Sequence, residues 1–351
     1  MPKNQNSTSA DRQTLIECRS VWKLYGEKAK KVAGKHGQDL TSDILKEEGV
    51  ISAARNVSFD VNKGEIFVIM GLSGSGKSTM LRCMTGLAEP TLGSLKVKGT
   101  DLATASRDEL TTIRRHTMGM VFQDFALLPH LSVLDNIAFP LRVQGARKNE
   151  RLARAREMMA LVGLSGRENY WPHELSGGQQ QRVGIARSLT TEPDIWFLDE
   201  PFSALDPLIR MEMQNEFLRL QNLLHKSIVF VTHDFDEAVR LADRIAIMEG
   251  GRVVQIGTPE ELIMQPANEY VAEFTEKIPR SKVVRVRTIM GKVQAGLAGA
   301  PVNADALVGD VAGKVLDSGD PLPVADETGQ IIGAIEARQV AAVLMNLGIA
   351  A

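Results

Sequence analysis

A strand of the fully buried type runs without a break into a glycine-rich loop and then into a helix, and few folds accommodate that order. Glu65–Met70 is continuously apolar after its first residue, the mark of a strand covered on both faces. Gly71-Leu-Ser-Gly-Ser-Gly-Lys77-Ser78-Thr79 follows directly and matches the pattern G-x-x-x-x-G-K-[ST]. The chemistry accounts for each residue type. Gly71, Gly74 and Gly76 let the backbone turn its N–H groups inward as an anion nest, with Ser73, Ser75 and Thr79 completing the loop and first helical turn. Lys77 supplies a point charge for terminal phosphates, Ser78 a hydroxyl for Mg2+, and the helix after it a positive N-terminal end.

A second element fits the first. Ile195-Trp-Phe-Leu-Asp199-Glu200 is an apolar strand ending in two acids. A carboxylate at the carboxyl end of a strand beside a phosphate loop is where Mg2+ takes its second anchor, so Asp199 is the candidate, and Glu200 can polarise an attacking water. Ser227–Val231 is another buried strand, Leu15–Leu24 and Val57–Val61 are strands, and Arg147–Val162 carries apolar residues at helical steps. Strands alternating with helices predict an α/β protein with a parallel core.

Lys plus Arg number 41 against 43 Asp plus Glu, so no excess positive charge is available to neutralise phosphates and no nucleic acid partner is expected. Two cysteines, Cys18 and Cys83, build neither a disulfide framework nor a zinc site, and Cys83 reads as a small core residue. No segment approaches the ~20 apolar residues that cross a bilayer. Residues 1–14 have no apolar stretch and read as a disordered tail, not a signal peptide.

The remaining motifs carry a family resemblance. Leu175-Ser176-Gly177-Gly178-Gln179 is the signature of ATP-binding cassette (ABC) ATPases, and the other motifs stand in family order. Gln123 in Val-Phe-Gln-Asp resembles the Q-loop, Ser203-Ala-Leu-Asp206 the D-loop, His233 in Val-Thr-His-Asp the switch histidine, and Tyr25 the aromatic that stacks on adenine. The resemblance spans about residues 15–265. It implies a nucleotide-binding domain with a RecA-like, mostly parallel sheet, an antiparallel β subdomain and a helical subdomain over about residues 124–190. It implies ATP and Mg2+ as ligands, with Ser78, Gln123 and Asp199 at the metal, Glu200 as general base and His233 at the γ-phosphate. Ser176, Gly177 and Gly178 would cap the nucleotide of a second copy in a head-to-tail ATP-sandwich dimer, and Gln179 and Asp206 would be among the nucleotide-binding residues. Which of Glu200 and His233 dominates catalysis is open.

The class within the family follows from spacing. Lys77 and Asp199 lie 122 residues apart, which leaves no room for a long coiled-coil arm. Nearly thirty residues separate Tyr25-Gly26 from Asn56-Val57, and Asp43–Ala54 within this charged, helix-prone stretch (27–55) is similar to the insert of glycine betaine/proline and choline importer ATPases. That resemblance implies uptake of a methylated amine such as glycine betaine, choline, proline betaine or trimethylamine N-oxide. It implies a separate transmembrane permease, an extracytoplasmic substrate-binding protein, and a peripheral position on the cytoplasmic face of the inner membrane. An amino-acid or polyamine importer is the nearer alternative, and a soluble ATPase switch acting on a macromolecule the farther one. Composition shifts near residue 280; the last 71 residues contain no Phe, Trp or Tyr. Within 281–351, Leu322–Ala325 and Ile331–Ile335 predict a hairpin followed by a helix over Ala337–Leu344, and the segment resembles a single CBS-type motif. So poor an aromatic content makes a weak solitary core, and packing against a partner, such as its own copy in a homodimer, is expected.

Overall fold

Residues 66–70 form the buried strand their composition demands, and the rest of the first unit is arranged around it. A computed structural model describes residues 13–293 and 296–346; most of the tail expected over 1–14 lies outside the described residues. The chain divides into two compact units, one ending at Ile256 and one beginning at Gly257. The strands of the first are β1 (Thr14–Tyr25), β2 (Ile51–Asn62), β3 (Ile66–Met70), β4 (Leu92–Val97), β5 (Thr100–Asp101), β6 (Met118–Val121), β7 (Ile195–Asp199), β8 (Ser227–Thr232), β9 (Arg244–Glu249) and β10 (Arg252–Gly257). One sheet is antiparallel in the order β2-β1-β4-β5, and the other runs β10-β9-β3-β8-β7-β6. In the latter β3 is parallel to β8 and β9, and β7 to β6 and β8. This is the α/β architecture expected, with the carboxyl ends of β3, β6, β7 and β8 along one edge.

The interval between β1 and β2 folds as its own small layer. It holds α1 (Ala29–His36) and α2 (Ser42–Glu47), whose Ala29, Val32, Ala33 and Leu45 pack with Trp22 and Leu24 of β1. The Trp22 indole N–H donates to Gln38 Oε1 at 2.9 Å, which satisfies its buried polar atom. The helix-prone reading of this stretch extended to Arg55. The structure corrects it: β2 starts at Ile51 and pairs with Tyr25, because β1 is twelve residues long and leaves a matching edge to cover.

α3 (Lys77–Met84) follows the glycine loop, and Met80, Leu81 and Met84 bury themselves in the core between the two sheets, near the stacked Phe59 and Phe67 rings 5.0 Å apart. α4 (Arg107–His116) precedes β6, and α5 (Val133–Val143), α6 (Lys148–Leu161) and α7 (Gly177–Leu189) form a helical layer between β6 and β7. α8 (Pro207–Leu224) and α9 (Phe235–Leu241) follow β7 and β8. Beneath the β7–α8 turn, Trp196, Phe202, Phe217 and Phe230 form a ring cluster with centroids 5.4 to 6.3 Å apart. Such pairs contribute about 0.5–1.5 kcal/mol each beyond area burial and hold the acidic end of β7 in place. Cys83 is fully buried, its thiol pushed up to about 11 by burial, as suits a core residue.

The second unit opens with α10 (Pro259–Met264) and α11 (Glu269–Glu276), followed by α12 (Val286–Ile289) and α13 (Val308–Ser318). Its parallel pair is β11 (Val302–Asn303) with β12 (Leu322–Ala325), and its hairpin is β12 with β13 (Ile331–Ile335), closed by α14 (Ala337–Leu344). The hairpin and last helix have the expected bounds. The division of the chain falls at 256/257 instead of near 280, because Glu260 Oε1 accepts the Arg285 N–H at 2.8 Å and Met264 packs on the aliphatic core of Val284, Val286 and Val302. The loss of aromatics near residue 280 marks a change in core chemistry within this unit.

Candidate functional site: a phosphate cradle and its acidic edge

Gly71 at φ 153° and Gly76 at φ 101° stand where other residues cannot. A Cβ on Gly71 would lie 2.2 Å from the Met248 carbonyl oxygen, and one on Gly76 would lie 2.1 Å from that of Ala53. β2 and the end of β9 therefore press on the loop from outside. The turn after β9 joins them: Gly251 N–H donates to Ser75 O at 3.1 Å, and Arg55 N–H to Gly251 O at 2.7 Å. Sequence reasoning missed this buttress, whose signal was the Gly250-Gly251 pair.

The inner side of the loop is polar. No side chain caps α3, whose N-cap is Gly76, so its first N–H groups are available to an anion. Lys77 is buried, and its Nζ donates to the Gly71 and Leu72 carbonyls at 2.9 and 3.0 Å. Burial holds its pKa below the usual lysine range, against the pull of Glu200 and Asp199. Ser75 Oγ is buried with no hydrogen-bond partner, Ser73 and Gly74 are exposed at the tip, and Thr79 lies half-buried in the first turn.

Ser78 Oγ donates to Asp199 Oδ1 at 3.1 Å, which joins the two expected metal residues across 121 positions of sequence. Burial raises the Asp199 carboxyl above its usual range, partly offset by the Ser78 hydroxyl. Among the described residues no group of three His, Cys, Asp or Glu could hold a metal. One hydroxyl and one carboxylate suit Mg2+, which takes few protein ligands and fills the rest with phosphate and water oxygens. Gln123 is exposed two residues beyond β6, and the pairing of Val121 with Leu198 puts it at the same sheet edge as Asp199.

Glu200 follows β7 at φ 43°, a left-handed conformation rare outside glycine and the kind of strain found at functional sites. Its N–H donates to Val231 O at 3.0 Å, and its Oε2 lies 3.0 Å from His233 Nδ1. The two candidates for catalysis are thus adjacent, though 33 residues apart. Glu200 is mostly enclosed at 16% side-chain exposure and His233 open at 57%. Ser203 Oγ donates to Glu200 O at 2.9 Å, tying the D-loop back to the acid.

The signature residues assemble elsewhere in the unit. Ser176 caps α7 in a reciprocal box with Gln179, whose Oε1 accepts Ser176 N–H at 3.1 Å and whose N–H donates to Ser176 Oγ at 3.4 Å. The Gln179 side chain is thereby engaged in the cap. Gly177 and Gly178 pack against Leu205 and Ile209, beside Asp206, which caps α8 through Ile209 N–H at 3.1 Å. Ser176→Ala should cost about 1 kcal/mol of stability, read as a melting temperature a few degrees lower. An unchanged melting temperature would show that the box does not hold the helix. Tyr25 is 42% exposed at the end of β1, with Lys23 Nζ 5.0 Å from its ring centroid.

The family description ABC transporter matches residues 54–203. The chain is 52% identical over 327 residues to the trimethylamine N-oxide transport system ATP-binding protein TmoW of Pelagibacter ubique, covering 93% of this chain and 96% of that protein. The chain belongs to the ABC transporter family. TmoW of Ruegeria pomeroyi is 53% identical, with 95% of this chain and 97% of that protein covered. The glycine betaine transport ATP-binding protein OpuAA of Bacillus subtilis is 48% identical over 82% of this chain and 69% of its own length. Among solved structures, a dimeric post-hydrolysis state of the ATP-binding cassette MJ0796 bound to ADP and Pi is similar at TM-score 0.59 and 34% identity, covering 70% of this chain and 99% of that one. This member of the family is an ATPase of the transport type, and no helix among its described residues is long and apolar enough to cross a membrane.

Proposed function

We propose that this chain is the ATP-hydrolysing subunit of an importer for a methylated amine, with trimethylamine N-oxide favoured over glycine betaine or choline. The observation that carries the solute class is similarity along the chain: the two trimethylamine N-oxide relatives are 52% and 53% identical over 93% and 95% of this chain, and the glycine betaine relative 48% over 82%. In this reading residues 281–351 are a single CBS-like segment. Leu316 and Ile331 remain exposed there, which supports packing of this segment against its copy in the dimer.

The site supports hydrolysis by positioning. The Gly71–Gly76 loop and Lys77 hold the phosphates, and Tyr25 offers a ring face to adenine. Ser78 and Asp199, with Gln123, would hold Mg2+, which neutralises charge on the transferred phosphate. Glu200 takes a proton from water, and His233 orients against it. Ser176, Gly177 and Gly178 would face the nucleotide bound by a second copy, with the peptide N–H groups at the start of α7 offered to its phosphates.

The permease would dock beside Gln123. A cleft of 380 Å³, lined by Met120, Phe122, Phe139 and Val143 with Arg114 and Arg187, opens next to that residue and suits an apolar segment bearing an acidic group. The substrate-binding protein would act through the permease, with the chain held peripherally on the cytoplasmic face. The test is ATP hydrolysis with this chain assembled on its permease in lipid nanodiscs, given the binding protein and a panel of methylated amines. Stimulation of several-fold by trimethylamine N-oxide, absent in Glu200→Gln, is expected. Glu200-dependent hydrolysis indifferent to every amine would discard the solute class and keep the ATPase.

A further inference from the structure

Behind His233 lies a buried polar brace that none of the motifs described above includes. Glu237, on the first turn of α9, is 5% exposed and accepts two hydrogen bonds: from Thr232 Oγ1 to Oε2 at 2.7 Å, and from Gln214 Nε2 to Oε1 at 3.2 Å. Thr232 and Gln214 are themselves buried. The Thr232 hydroxyl also accepts the Asp234 N–H at 3.0 Å, closing a tight turn whose middle residue is His233. Asp234 Oδ1 in turn accepts the Glu237 N–H at 3.3 Å, so both ends of the His233 segment are tied to one carboxylate residue.

The other end of the brace is α8, the helix that Asp206 starts. Gln214 Oε1 accepts from Arg240 Nη1 at 3.0 Å, so the amide is held from both sides. Arg210, in the first turn of α8, lies 3.6 Å from the Asp234 carboxylate and donates to Leu205 O in the D-loop at 3.2 Å. Two bridges therefore join α8 to the segment carrying His233, one at Arg210–Asp234 and one at Gln214–Glu237. A buried carboxylate costs free energy unless its oxygens are occupied, and here each oxygen accepts a hydrogen bond. Burial also raises the Glu237 carboxyl above its usual range.

We propose that Glu237 is a positioning residue for hydrolysis: through Thr232 and Gln214 it locks His233 against Glu200 and makes the switch segment follow α8 and the D-loop. The inference rests on the role given to His233 above. Glu237 is buried and both of its carboxylate oxygens are occupied by Thr232 and Gln214, so its removal should lower kcat while leaving ATP affinity in place.

The test is a double-mutant cycle on the full chain. Glu237→Ala should bind a fluorescent ATP analogue at full stoichiometry and with KM for ATP within about twofold, while kcat falls ~10-fold or more. His233→Ala should also lose activity, and adding Glu237→Ala to it should cost little further, because the brace acts through the histidine. Multiplying losses, or unchanged kcat in Glu237→Ala, would overturn the brace alone. Full hydrolysis by His233→Ala would overturn both the brace and the role of the histidine. If Glu237→Ala fails to bind nucleotide, Glu237→Gln carries the same cycle, keeping the volume of the side chain while removing the carboxylate that accepts from both Thr232 and Gln214.

Discussion

Glu200→Gln should bind ATP as the native chain does and hydrolyse it ~10²–10⁴-fold more slowly, the range that a positioned general base supplies. The substitution separates basicity from shape. A glutamine keeps an oxygen within reach of His233 Nδ1, now 3.0 Å from the carboxylate, and keeps the strained backbone at φ 43°. What it removes is the capacity to take a proton. With hydrolysis blocked, the ATP-bound sandwich of two copies should accumulate and elute as a dimer in the presence of ATP. Single-turnover hydrolysis and size-exclusion chromatography read the two effects. A loss smaller than tenfold would move the base to another group, with His233 the first candidate.

Gly76→Ala should damage both the fold and the phosphate loop. Its Cβ would sit 2.1 Å from the Ala53 carbonyl oxygen, a backbone atom of β2 that cannot swing away, and φ at 101° already disfavours a side chain. Strain and displacement together should cost ~2–4 kcal/mol, or a fall of about 5–15 °C in melting temperature. ATP affinity should fall ~100-fold as the N–H groups lose their aim. Gly74→Ala is the control: φ is +79° there too, but no atom lies within 4 Å of the added carbon. It should cost only the ~1–2 kcal/mol of the left-handed conformation. Equal losses at the two positions would mean that conformation alone matters and that the β2 contact does not.

The contrast between Gly74 and Gly76 shows where sequence reading stops. Both are glycines of one motif, and only the approach of Ala53 and Gly251 distinguishes them. The insert teaches the same lesson. Its charged composition reads as helix up to Arg55, and the length of β1 turns the last five residues into strand, since an unpaired edge of Leu24 and Tyr25 would leave backbone groups unsatisfied.

The sequence by itself determined the chemistry. A continuous apolar run feeding a glycine loop, a strand ending in two acids, and the Leu-Ser-Gly-Gly-Gln signature were legible because each is local: a few adjacent residues set both the backbone conformation and the groups it presents. The hairpin at Leu322–Ile335 was legible for the same reason. Only the tertiary structure decided what those pieces meet. It brought Ser78 to Asp199 and Glu200 to His233, set the Gly250-Gly251 turn against the loop, put the Phe202 cluster under the acids, and moved the second unit's start to Gly257. Those are contacts between residues far apart in sequence, chosen by sheet order and packing, and no window of neighbouring residues encodes them.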